Sequence, residues 1–303
     1  MNTEIKGIKN NSNQISVVLN RKQSAGLITR EVIGSPFSII EQHFSQLVGM
    51  EHMRQSLREI YAIEQINKRR EAQHLKSSKQ VYHMLFSGNP GTGKTTVARK
   101  LANIFYEIGV LPKNHIIEVD RSELVGEYIG QTAQKTKAII KKALGGILFI
   151  DEAYSLARGG EKDFGKEAID TLVKFMEDYS TQFILILAGY PKEMEYFLSL
   201  NPGLESRFPF IFNFPNYTEL ELLNIAKKFL DTKDYVLSKE AERVLITRIK
   251  KEKMSNRDFS NGRYVRNIIE SAIRNHAVRL MYENKNHDHK QLSLIIHQDL
   301  ACL

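Results

Sequence analysis

The stretch VYHMLFSGNPGTGKTTVARKLANIFYEIG, residues 81–109, decides how the rest of the chain is read. A short apolar run ends in glycine, a Gly-rich turn follows, and apolar residues then recur at helical spacing. Within it GNPGTGKT, Gly88 to Thr95, matches G-x-x-x-x-G-K-[ST] between a strand and a helix. Such a loop curls backbone N–H groups around phosphate oxygens. Gly88, Gly91 and Gly93 permit the close approach and the unusual dihedrals, while Asn89, Pro90 and Thr92 fill the variable positions. Lys94 brings a point charge to the β- and γ-phosphates, and Thr95 offers a hydroxyl to Mg²⁺. Thr96 continues the first turn of a helix whose dipole also draws the anion. ATP with Mg²⁺ is the expected ligand pair. The rival reading, an ordinary Gly-rich turn, explains neither the strand before the loop nor the helix after it.

Downstream, ILFIDEA (147–153) supplies the partner of this loop. A buried strand there delivers Asp151 and Glu152 at its C-terminal edge, where ligands bind in open α/β sheets. Asp151 is expected to hold Mg²⁺ through water. Glu152 is placed to polarise an attacking water as a general base. Without a phosphate loop, two solvated acids at a strand end would be the better reading. A small-molecule kinase would keep its acceptor hydroxyl where this glutamate stands.

Around these motifs, short apolar runs (VYHMLFSG, HIIEVD, GGILFIDEA, TQFILILAGY) alternate with amphipathic helical stretches. That pattern predicts an α/β fold, a P-loop NTPase with a mainly parallel sheet between helices. After Pro215 the strands are expected to stop, leaving a smaller all-helical lid domain. The predicted divisions are a mobile or partner-binding arm over 1–40, an α/β nucleotide-binding domain over 41–216, and a helical domain with a C-terminal tail over 217–303. Residues 47–75 space Met53, Leu57, Ile60, Ile63 and Ile66 on one helix face. FPFIFNFPNY, residues 208–217, is assigned to packing the junction between the two domains.

Composition bounds the function classes. The 303 residues are 42% hydrophobic and 26% charged, a globular balance. The apolar runs are too short to span a bilayer, and MNTEIKGIKNNSNQ lacks the apolar core of a secretory signal. One cysteine, Cys302, allows no internal disulfide, which fits the cytoplasm. The net charge of +8 divides as +3 over residues 1–40, +2 over 41–80, −1 over 81–216 and +4 over 217–303. A spread of this kind argues against nucleic acid, which asks for a concentrated basic patch with interleaved aromatics.

Three arginines could complete the site. Arg207, in NPGLESRF, lies beyond the strand ending at Ala188, too far along the chain to reach its own nucleotide easily. It could reach a neighbour's, and an arginine supplied in trans is worth ~10³–10⁵ in rate. The alternative is a surface arginine capping a helix. In SNGRYVRN, Arg263 and Arg266 stand near a helix start, where the dipole disfavours positive charge, so at least one of them needs a partner. Weaker signals are His287 and His289, discounted as metal ligands, and RGGEKDFG (158–165), either a second pore-lining loop or a plain connection.

GNPGTGKT, ILFIDE, SRF and GRYVRN, in this order and spacing, resemble the AAA+ ATPase family over roughly residues 41–282. The wording LVGEYIGQTAQKT, AGYPKEM, NPGLESRFPFIFNFPNYTELEL and SNGRYVRN is similar to the branch containing stage V sporulation protein K and the red-type rubisco activases. The resemblance implies a homo-oligomeric ring, a hexamer, with nucleotide sites between subunits and an unidentified protein substrate. It also implies that Val48 and Gly49 lie against the adenine, and that Tyr128 and Ile129 grip the substrate chain in the central pore, with Gly126 and Gly130 as hinges. A role in endospore formation is the first expectation, rubisco activation the second, and a nucleic-acid motor or clamp loader the reading from another class. In one respect the chain departs from the family. Many members carry Asn or Thr after the fourth core strand to align the water, and here the sequence is Ala188-Gly189-Tyr190, with Tyr190 the candidate.

Overall fold

The apolar runs flanking the phosphate loop become neighbouring strands of one parallel sheet. A computed structural model of the chain describes residues 36–44, 50–128, 130–158, 164–200, 202–256, 259–283 and 286–301. The sheet comprises β1 (Met84–Gly88), β2 (Ile116–Val119), β3 (Ile147–Ile150), β4 (Ile184–Gly189) and β5 (Phe210–Phe214). Their order is β2-β3-β4-β1-β5 with every pairing parallel, and Met84 stands opposite Ile186 on one side and Phe210 on the other.

Because strand side chains alternate, the sheet feeds two cores. Met84, Phe86, Phe149 and Ile186 point to the face covered by α1 (Ser38–Phe44), α2 (Glu51–Ala72) and α3 (Lys94–Glu107). Leu85, Leu148, Leu185 and Leu187 point to the other face. There α4 (Arg121–Leu124), α5 (Gln131–Ala143), α6 (Gly165–Asp178), α7 (Pro191–Ser199) and α8 (Pro202–Glu205) complete the layer. The lid packs α9 (Glu219–Asp231), α10 (Lys239–Ser255) and α11 (Asn261–Glu283) around Leu222, Leu245 and Ile269. α12 (His289–Ser293) and α13 (His297–Ala301) close the described chain. Among the described residues no helix is long and apolar enough to cross a membrane.

Several expectations need correction. The segment read as aromatic junction filler contains β5, an edge strand: Phe212 and Phe214 are buried while Ile211 and Asn213 are exposed. The helical domain is not free of strands, since β6 (Val236–Leu237) pairs in parallel with β7 (Leu294–Ile295). Residues 37–40, placed in the arm, instead join the core, where Ile40 is fully buried and Phe37 packs on Tyr61. The α2 stripe is buried at Met53, Leu57 and Ile60 but ends before Ile66, which is exposed.

The junction between domains is polar and closed. Asn261, the first residue of α11, is fully buried at φ 45°, a left-handed conformation that asparagine tolerates better than most residues. Its Oδ1 accepts from the Tyr217 N–H at 3.0 Å, and its Nδ2 reaches Asn216 Oδ1 at 2.9 Å, Phe259 O at 2.9 Å and Pro90 O at 3.3 Å. Asn89 Nδ2 donates to the same Asn216 Oδ1 at 2.9 Å.

Two outcomes are expected. Asn261→Ala leaves the buried Phe259 carbonyl and the half-buried Tyr217 N–H and Pro90 carbonyl without this partner and costs about 2 kcal/mol in urea denaturation; a change below ~0.5 kcal/mol would show the network to be dispensable. His83, just before β1, is 1% exposed between Phe183 and Phe208. Its Nδ1 accepts from the Leu185 N–H at 3.0 Å, and the Met176 backbone lies within reach of the ring and partly offsets the effect of burial. Burial holds its pKa down to about 4. Below the ordinary histidine value the unfolded chain therefore binds the extra proton first. The contribution is complete above that value and fades as pH falls towards 4, by about 3 kcal/mol. His83→Asn, which retains an acceptor near Nδ1, flattens that slope in pH-stepped urea titrations.

Candidate active site

The phosphate loop joins the end of β1 to the start of α3. Gly91 (φ 69°) and Gly93 (φ 96°) both take left-handed dihedrals, which glycine alone adopts without strain. Gly91 also lies against the lid, where an added Cβ would stand 2.2 Å from Ser260 O and 2.7 Å from Arg263 N. Gly262 N–H donates to Gly91 O at 3.0 Å. Thr92 is buried, its Oγ1 donating to Asn89 O at 2.8 Å while Tyr217 Oη donates to Thr92 O at 2.9 Å. Lys94 Nζ donates to Gly88 O at 2.6 Å and Asn89 O at 3.0 Å. Burial pulls the Lys94 ammonium below its ordinary pKa, Asp151 pushes it back up, and the nearby Arg263 pulls it down again.

A cleft of about 550 Å³ opens beside this loop, between the sheet's C-terminal edge and the lid. Pro90, Gly91, Gly93, Lys94, Thr95 and Thr96 form its floor. Asp151 and Glu152 project into it from the end of β3, as the buried apolar strand predicts. The Glu152 N–H donates to Asp151 Oδ1 at 3.0 Å. From the lid come Arg263 and Arg266, so both arginines reach the cleft, and the Arg266 guanidinium stacks over Phe229 at 5.5 Å. A hydroxyl and a carboxylate, Thr95 and Asp151, are hard oxygen donors in one cleft, the chemistry Mg²⁺ prefers.

Arg207 does not line this cleft. It pairs with Glu177 of α6 and with the Gly203 carbonyl, and its Nε is buried without a partner. Tyr128 stands apart as well, 67% exposed between α4 and α5, beyond the outermost strand β2. Gly126, expected as a hinge, forms the base of this loop. Its N–H donates to Thr132 Oγ1 at 2.9 Å, and a Cβ there would meet Gln131 Cβ at 2.5 Å. Val48, Gly49, Ile129 and most of the 158–165 loop lie outside the described residues.

Sequence reasoning missed Tyr217, which binds the loop from the lid side, and Tyr154, which sits behind Glu152. Both lay in plain view, in FPNYTEL and DEAYSL, but an isolated tyrosine has no periodicity to mark it.

Comparison with known proteins agrees with this geometry. The family described as ATPase family associated with various cellular activities (AAA) matches residues 84–216, and the AAA lid domain matches residues 218–302. Stage V sporulation protein K of Bacillus subtilis is 54% identical over 285 residues, covering 89% of this chain and 88% of that protein. The chloroplastic ribulose bisphosphate carboxylase/oxygenase activase of Cyanidioschyzon merolae is 45% identical over 236 residues, covering 78% and 80%. Among solved structures, a RuvB variant of Thermotoga maritima superposes with a TM-score of 0.55 at 21% identity, covering 84% of this chain and 69% of that one. At that identity the likeness speaks for the fold alone. Identity with curated relatives along most of the chain, and family matches that meet at the Asn216–Tyr217 junction, place this protein among the AAA ATPases as an ATP hydrolase.

Proposed function

We propose that the chain assembles into a closed homo-oligomeric ring, a hexamer, and spends ATP hydrolysis on remodelling a protein partner. The observation that carries this reading is Tyr128. A tyrosine 67% exposed beside a loop base held by the Gly126–Thr132 hydrogen bond is placed where it can touch another chain. Ile129 would share that grip.

Within each subunit, the loop from Gly88 to Thr96 holds the triphosphate, Val48 and Gly49 the adenine, and Lys94 the phosphate charge. Thr95 and Asp151 would hold Mg²⁺, which when bound neutralises charge on the β- and γ-phosphates. Glu152 accepts a proton from the attacking water as the water oxygen bonds to the γ-phosphorus. The bond from that phosphorus to the bridging oxygen breaks, and ADP and phosphate leave. Arg263 reports the γ-phosphate to the lid. Arg207, turned away from its own cleft, serves the site of the adjoining subunit, which the head-to-tail contacts of a heterologous ring allow.

Relatedness to stage V sporulation protein K supports a role in endospore formation. Relatedness to a rubisco activase supports the second reading, rubisco activation, and a gene neighbourhood with rubisco subunits would favour it. The spread of positive charge gives no support to a nucleic-acid motor.

The decisive experiment mixes two inactive variants. Glu152→Gln binds ATP but hydrolyses it ~10²–10⁴-fold more slowly, and Arg207→Ala is slowed by at least ~10³. Mixed subunits regain part of the activity, because an intact Glu152 then meets an intact Arg207 across an interface. No recovery on mixing would sink the in-trans assignment. Separately, Tyr128→Ala leaves the melting temperature unchanged, since the side chain packs on little. In the Glu152→Gln background with ATP it abolishes the partner capture that mass spectrometry detects with Tyr128 intact. A large drop in melting temperature would make Tyr128 a structural anchor instead.

A further inference from the structure

Glu152 sits at φ 47° and ψ 44°, a left-handed backbone that glutamate seldom adopts. Such strain persists only where the surroundings over-determine it. The main-chain N–H is fixed on Asp151 Oδ1, so the direction in which the side chain leaves the backbone is fixed too. What remains is rotation about the side-chain bonds, which decides where the carboxylate points.

Two tyrosines face that carboxylate. Tyr190 Oη lies 3.4 Å from Glu152 Oε1. Tyr154, two residues beyond Glu152, lies tilted against the Tyr190 ring at 5.6 Å and 35°, and its hydroxyl also faces the Glu152 carboxylate; burial and that charge together hold the phenol above its ordinary pKa. Lys94 Nζ stands over the other side of the chemistry, 5.7 Å from the Tyr190 ring centroid. The backbone fixes Tyr190 as firmly. Pro191 opens α7, and the residue before a proline is held extended, here at φ −78° and ψ 148°. Gly189 clears the space, since a Cβ there would stand 2.6 Å from Met194 Sδ and 2.8 Å from Tyr154 Cδ1.

We propose that Tyr190 is a positioning residue for ATP hydrolysis: its hydroxyl donates to Glu152 Oε1 and leaves Oε2 turned towards the attacking water. This role rests on Glu152 being the general base. Tyr190 thus acts through the glutamate, and the direct alignment of water that its place after β4 suggests is not required. At 3.4 Å the contact is longer than a settled O–H···O bond. Hydrogen bonds in active sites often tighten only when substrate is bound. Burial and the Glu152 charge hold the Tyr190 phenol above its ordinary pKa, so it stays a neutral donor at working pH. The Tyr154 ring, itself wedged under the Arg158 guanidinium at 4.8 Å, backs the Tyr190 ring and limits its swing.

Tyr190→Phe tests this in the full-length protein with ATP as substrate. The phenyl ring keeps its packing on Tyr154 and its place under Lys94, and only the hydroxyl goes. Steady-state phosphate release is expected to show kcat reduced by about 10- to 100-fold. KM for ATP, and the affinity for a fluorescent ATP analogue, stay within twofold of wild type. In the Glu152→Gln background the same change lowers the residual single-turnover rate less than twofold, since no base is left to aim. A Tyr190→Phe enzyme with wild-type kcat, or one that loses kcat and nucleotide affinity together, overturns the proposal. So does a further loss beyond twofold in the double variant, which would mean that Tyr190 holds the water itself. If Glu152→Gln alone turns over at close to the wild-type rate, the base assignment has failed instead, and the two failures are told apart by that single variant.

Discussion

The fold depends on one polar knot, where Asn261 ties the lid to the phosphate loop. Its side chain spends its hydrogen-bonding capacity on Pro90 of the loop, Asn216 and Tyr217 of the linker, and Phe259 before its own helix. Buried polar networks of this kind are stable only when every member is satisfied, and they then permit one arrangement. Here that arrangement sets α11 against Gly91. The start of α11 sets Arg263 and Arg266, and with them the lid wall of the cleft. Any shift in the loop on binding phosphate must pass to the lid, because Gly262 N–H and Tyr217 Oη are bonded to loop carbonyls.

Strain marks the same place from the other side. Asn261 and Glu152 both hold positive φ without being glycine; Glu152 lines the cleft, and Asn261 stands directly before Gly262 and Arg263, which do. Local strain of this sort costs of order 1–3 kcal/mol per residue and is retained where geometry matters more than stability. In Glu152 it aims a carboxylate; in Asn261 it lets a helix begin in contact with a glycine.

Much of this was legible in the sequence, because the phosphate loop and the acidic strand end are local patterns. Lys94, Thr95, Asp151 and Glu152 share one cleft because their strands are neighbours-but-one in a parallel sheet, and the alternation of apolar runs already implied such a sheet. β5 was not legible as a strand, because its aromatic alternation reads equally well as interdomain packing, and only pairing with β1 decides between them. β6 and β7 are two residues each and separated by most of the lid, too short for any period to register. Ile66 fits the helical stripe of α2, yet it is half exposed, because the apolar packing on that face stops at Ile60, a fact about the neighbouring elements rather than about the helix. Asn261 and Tyr217 are single polar residues whose partners lie far along the chain, and no spacing rule could find them.

Hydrolysis and the exposed tyrosine are joined by a physical route. β3 carries Glu152 and pairs with β2, and the Asp151 N–H donates to Val119 O at 3.1 Å. Just past Glu152, the Ser155 carbonyl accepts from Arg121 Nη1 at 2.6 Å, which fastens α4 to the turn that follows the catalytic strand. α4 leads directly to Val125 and the base of the Tyr128 loop, where Thr136 Oγ1 and Lys135 Nζ hold the Leu124 and Val125 carbonyls. A displacement at the turn after Glu152 therefore moves a rigid piece of backbone and carries Tyr128 at its tip. Coupling in proteins needs an element that both sites bias, and α4 has contacts to each. An exposed aromatic on such a lever would turn a change at the acidic end of β3 into motion at Tyr128, the link that the proposed remodelling reaction needs.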